Sequence, residues 1–185
     1  MTHRTELNTK IAHLTGLSKH TIDRIGVNLN KGGLLLAGGR GRHAPDMGPE
    51  DLKNIILAVL GSESTGVVFK TVLQLHALTA KNGQNFGDTL LGICSDPKIA
   101  AEVLQISVLR NYPRATIYWK DEGDNRKGRR QDFRDLTERE QPGMRVVASL
   151  RGNVVRKLVQ LVIGPEVLEE IPGERINKAG QREEP

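Results

Sequence analysis

A glycine at position 16 stands between two stretches whose apolar residues repeat with the period of an α-helix. Leu7, Ile11 and Leu14 fall at i, i+4 and i+7, which predicts a helix over residues 6–14. Ile22, Ile25 and Leu29 predict a second over residues 18–30. Glycine costs about 1 kcal/mol relative to alanine inside a helix. One helix running through Gly16 is therefore the poorer solution. A sharp turn satisfies every local preference: Gly16 accepts a left-handed backbone, and Ser18 is a good N-cap for the helix that follows.

The rest of the chain reads as further helices and then strands. Lys31-Gly32-Gly33 ends the second helix. Leu34 to Leu36 is predicted to be a short strand entering a turn through Gly38, Gly39 and Gly41, and Ala44 to Gly48 a linker or extended arm. Pro49, with Glu50 and Asp51 beside it, starts a helix with an apolar face of Leu52, Ile55, Ile56, Val59 and Leu60, broken over Gly61 to Gly66. Val67 to Ala80 is predicted to be one helix, with Val68, Val72, Leu75, Leu78 and Thr79 along one side. Phe86 to Ile93 and Pro97 to Leu104 are shorter helices, the latter capped by Asp96. The pattern then changes. Gln105 to Leu109 and Ala115 to Trp119 read as strands joined through Asn111-Tyr112-Pro113; Tyr118 and Trp119 could stack on bases, but burial in the strand is the expectation. Asp121 to Arg130 reads as a charged loop, Phe133 as part of a short strand, Arg145 to Leu150 as a strand and Asn153 to Ile163 as a helix. From Gly164 the chain is rich in Glu, Pro and Gly and is expected to be a loose tail.

Aromatic residues make up only 3% of the 185 positions, so the core must be built from Leu, Val, Ile and Ala. No apolar run approaches the roughly 18 residues of a membrane span, and the first residues lack the apolar segment of a signal peptide. A cytoplasmic location is expected, with the single cysteine, Cys94, packed as a small buried hydrophobe. The net charge of +5 is unevenly placed. Residues 1–45 hold seven cations and two anions, while the other 140 residues hold twenty of each. The whole excess lies in the first quarter of the chain, which points to a polyanionic partner there.

Ala12, Gly16, Ile22 and Ile25 stand at the fifth, ninth, fifteenth and eighteenth positions counted from Asn8. In this spacing the segment resembles the helix-turn-helix of bacterial and phage DNA-binding proteins. A small residue lets the helices approach, glycine makes the turn, and two branched residues fill the gap. An ordinary helical hairpin needs the same features. The outward residues at the start of the second helix favour DNA: Ser18, Lys19, His20 and Thr21, then Arg24 and Asn28, all suit phosphates or base edges, and Asp23 is the only anion there. In the following GGLLLAGGRGRHAP, Arg40 and Arg42 sit among glycines and suit a phosphate surface or narrow minor groove. Their Arg-Gly-Arg core resembles an AT-hook without its full proline flanks, and the layout is similar to a winged helix of phage or prophage type. No Gly-Lys-Ser/Thr ending is present and no strand-to-helix transition follows, so this is not a phosphate-binding loop.

The expected fold is α+β and mainly helical: an N-terminal winged helix-turn-helix over residues 1–48, then an α+β assembly or regulatory domain over 49–164 with a small antiparallel sheet and a C-terminal helix, and a tail over 165–185. The expected partners are double-stranded DNA and further copies of the chain, as a homodimer or higher homo-oligomer, with no membrane. His3, His13, His20, His43 and His76 lack metal-ligand spacing with Cys94, and Ser62, Ser64 and Ser95 lack a nucleophile elbow, so neither metal nor cofactor nor catalytic group is expected. Asp121, Glu122 and Asp124 are interleaved with Arg126, Lys127, Arg129 and Arg130, which predicts a solvated loop or a second phosphate contact rather than a cation site. The resemblance implies a transcriptional regulator. Two rivals are the small terminase subunit of a phage packaging motor, which also begins with a helix-turn-helix, and a nucleic-acid enzyme, against which the lack of clustered carboxylates argues.

Overall fold

Two helices packed against each other open the structure, α1 (Arg4–Thr15) and α2 (Lys19–Lys31), with Gly16 between them at φ +72°. That dihedral lies in the left-handed region which glycine alone enters without strain. The computed structural model describes residues 4–35, 47–110, 112, 114–121, 128–135 and 146–164. Leu7, Ile11, Ala12, Ile22, Ile25 and Leu29 are all buried, so the small residue and the two isoleucines meet where their spacing places them.

Pro49 and Glu50 begin α3 (Pro49–Gly61), where the Asp51 carboxylate accepts the Gly48 N–H at 3.0 Å. Every residue from Asp51 to Gly61 is buried, far more than the predicted one-sided face. The cause is its central position: α2, α4 (Val68–His76), α5 (Phe86–Ser95), α7 (Gly152–Ile163) and the sheet all pack around it. A short 3-10 turn, Thr65–Val67, precedes α4.

Five antiparallel strands form one sheet in the order β1-β4-β3-β2-β5: β1 (Thr79–Ala80), β2 (Val103–Leu109), β3 (Arg114–Trp119), β4 (Arg129–Arg134) and β5 (Val147–Arg151). Ile106, Val108, Ala115, Ile117, Phe133 and Leu150 face the helices and are buried. α3 and α7 contact β2 and β5 on one side and α2 and α1 on the other, forming a middle layer. A single apolar cluster runs from Leu7 to Val159 and crosses the boundary expected near residue 48, since Leu29 and Leu35 share it with Leu52 and Leu57. The chain is thus α+β and mainly helical, with a small antiparallel sheet and a C-terminal helix. No helix among the described residues is long and apolar enough to cross a membrane.

Several sequence expectations need correction. The helix expected over Val67 to Ala80 stops at His76, and Thr79–Ala80 is strand β1. A tight turn at Lys81-Asn82-Gly83, with Gly83 at φ +82°, folds the chain back so that the Phe86 N–H reaches the Leu78 carbonyl at 2.8 Å. The helix expected over Pro97 to Leu104 is α6 (Pro97–Glu102), because Val103 leaves helical backbone and pairs with Trp119. Arg129 and Arg130, read as loop, belong to β4. Leu34 and Leu35 carry no strand: the Leu34 N–H bonds back to the Leu29 carbonyl, its own carbonyl accepts from Asn54 Nδ2, and Leu35 is buried in the core. Leu36 and the glycine-rich segment through Arg42 lie outside the described residues.

Candidate nucleic-acid interface

Ser18 adopts extended backbone, and its hydroxyl accepts the Thr21 N–H at 3.1 Å, the N-cap that its residue type foreshadows. A second link joins the Ser18 and Thr21 hydroxyls at 2.8 Å. The α2 N-terminus carries no acidic residue in its first turn, so its exposed N–H groups and positive dipole end stay uncompensated by carboxylate there.

Beyond that cap, exposure along α2 picks out one ridge. His20, Arg24, Val27 and Lys31 are exposed and fall at i, i+4, i+7 and i+11, a single stripe on a helix with 3.6 residues per turn. The opposite stripe, Ile22, Ile25 and Leu29, is buried. Val27 and Lys31 were not among the predicted contacts, although counting the helical period onward from His20 and Arg24 finds them.

The remaining predicted residues divide. Lys19 is exposed and forms an ion pair with Asp23 at 2.7 Å. The other Asp23 oxygen accepts from Asn8 Nδ2 at 3.0 Å, so the sole anion of α2 ties α2 to α1 and offsets Lys19. Asn28 is half-buried, and its amide nitrogen donates to the Thr65 carbonyl, clamping α2 to the turn before α4. Arg40 and Arg42 lie outside the described residues. The structure therefore brings Ser18, Thr21, His20 and Arg24 together at the start of one exposed helix face and engages Asn28 elsewhere.

Beside the C-terminal end of α2 the Phe69 ring lies against Gly32, leaving no room there for an added Cβ. Phe69 and Leu73, one turn apart on α4, and Val67 before them are all over 40% exposed. Cys94 is fully buried, and burial pushes its thiol up to about 12, consistent with packing rather than reactivity. No three His, Cys, Asp or Glu side chains among the described residues come together as a metal site. No protein-family model, curated protein or solved structure matches the chain.

Proposed function

We propose that the chain is a sequence-specific double-stranded DNA-binding protein of helix-turn-helix type, a transcriptional regulator of phage or prophage kind that lays residues 18–30 in the major groove. The observation that carries this reading is the exposed ridge His20–Arg24–Val27–Lys31 on a helix capped by Ser18 and entered through the left-handed Gly16. A helix of this size fits the major groove, where guanidinium pairs with guanine and an apolar side chain suits a thymine methyl. Arg24 is assigned base contact, Val27 the methyl contact, and Lys19 and Lys31 phosphate contacts. Arg40 and Arg42 are assigned further phosphate contacts on their charge and glycine-rich setting. Pairing of two copies through Val67, Phe69 and Leu73 would let two such helices read two half-sites.

Selection of bound duplexes from a random pool, followed by titration of the best duplex and a scrambled one, tests the reading. Arg24→Ala is expected to lose about 1–3 kcal/mol on the selected duplex and much less on the scrambled one. Equal losses on both would demote α2 to a backbone contact, and failure to enrich any duplex would end the proposal.

A further inference from the structure

The helices cover one face of the sheet, and among the described residues no element covers the other. Strand alternation assigns its side chains. In β3, Arg114, Thr116 and Tyr118 point away from the helices, because Ala115, Ile117 and Trp119 are buried toward them. Their cross-strand partners in β4 are Arg134, Asp132 and Arg130. On the far side Tyr118 faces Gln105, and Gln105 faces Arg151. This face thus carries four arginines and one tyrosine near its middle, with Thr116 buried among its neighbours. Tyr118 was expected to be buried with Trp119. Successive strand residues face opposite ways, so Trp119 lies in the core, with Nε1 donating to Gln131, while Tyr118 is half-exposed on the open face.

Among the described residues this face carries more arginines than carboxylates. Arg114 and Arg134 stand directly opposite each other, a like-charge juxtaposition that a nearby anion offsets. Asp132 is the face's only carboxylate among the described residues, and it is already engaged by Thr116 at 2.7 Å, Arg130 at 2.9 Å and Arg114 at 3.8 Å. Arg134 and Lys81 are left exposed on the rim of a cleft of about 490 Å³ that Arg114, Arg130 and Asp132 also line. That space accommodates a sugar-phosphate unit, and Tyr118, paired across strands with the lining Arg130, presents an aromatic surface on the same face.

We propose that this open sheet face is a second nucleic-acid surface, distinct from α2, and that it holds a single strand: phosphates at Arg134, Lys81 and Arg114, and a base stacked on Tyr118 beside Arg130. A basic track with an aromatic platform is the combination that binds unpaired strands, since every base has a face to stack and the backbone supplies regular negative charge. A base within a duplex cannot reach a tyrosine lying in a sheet, which separates this surface from the groove-reading helix.

Anisotropy of a labelled oligothymidylate, titrated with the full chain, tests this, with retained far-UV circular dichroism as the folding check. Arg130→Gln with Arg134→Gln is expected to weaken binding about tenfold or more and to flatten its salt dependence. Tyr118→Leu should weaken it about fivefold or more, and Tyr118→Phe should keep the affinity because the ring remains. Arg24→Ala should leave oligothymidylate binding unchanged, so failure of the α2 reading and failure of this one are distinguishable. The proposal is overturned if the arginine variants bind oligothymidylate as the native chain does. It is equally overturned if Tyr118→Leu is silent while inorganic polyphosphate competes as well as the oligonucleotide, or if Arg24→Ala removes the binding.

Discussion

The α1–α2 pair and the sheet are built by different kinds of information. In the helical pair each decisive residue acts within a few positions of itself: Gly16 turns, Ser18 caps, and Ile22 and Ile25 reach across a short connection. In the sheet the decisive contacts join residues far apart in sequence. β1 pairs with β4, β2 with β5, and the Phe86 and Phe133 rings meet at 5.1 Å from α5 and β4. Arg110, just after β2, sends its guanidinium to the Val59 and Leu60 carbonyls at 3.1 and 3.0 Å, giving the last turn of α3 the donors it lacks. Local signals make an element. Long-range ones decide what it faces, and so which of its side chains are available to a partner.

Substitutions that strike one region and are read in the other break or sharpen this contrast. The largest effect is expected for Phe133→Ala, which removes a fully buried ring from beneath the sheet. It should cost about 3–5 kcal/mol. Because one apolar cluster spans both regions, helix loss by far-UV circular dichroism and the fluorescence of the single Trp119 should shift together. Two separate transitions would show that the helical pair folds without the sheet.

Next in size is Gly16→Val. The left-handed backbone at φ +72° opposes a β-branched side chain, and about 1–3 kcal/mol should be lost even though the space around Gly16 is open. An unchanged melting temperature would mean that the turn relaxes away from this conformation in solution. Ser18→Ala follows at about 1 kcal/mol, through loss of the bond to the Thr21 N–H, and Ser18→Asp should recover it. Chemical denaturation of both variants would measure the difference.

The smallest effect concerns Asp132 and is visible only in acid. Burial would raise its carboxyl pKa, but hydrogen bonds from Thr116 and Arg130 and the charges of Arg130 and Arg114 outweigh this and hold it below the ordinary value. The unfolded chain then takes up the proton at a higher pH, about 3.9. The ionised side chain contributes stability above that pH and loses it as pH falls through the lower folded value. The stability gap between the native chain and Asp132→Asn should accordingly shrink below about pH 4. A gap independent of pH would show that the carboxylate does not hold its arginine partners.

Much of the secondary structure was legible because its causes are local. Asp96 caps α6 through the Lys98 N–H at 2.7 Å, Pro49 opens α3, and alternating apolar residues announce β2 and β3. The cap and the inward face of α2 could be read too, which is why Ser18, His20, Thr21 and Arg24 lie together at the start of one exposed surface. What sequence alone did not decide is what lies beside each element. Thr79 and Ala80 carry an apolar pattern that continues a helix as well as it makes a strand, and pairing with Arg134 and Phe133 selects the strand. Lys53 and Asn54 have polar side chains, yet the helices and sheet that surround α3 bury both, with Glu50 and the Leu34 carbonyl as their partners. Asn28 has the side chain of a base-reading residue until the Thr65 carbonyl takes its amide. The helical and strand periods of the chain were written in residue order. Which face of each period meets water is set by neighbours brought in from afar, and only the tertiary structure supplies them.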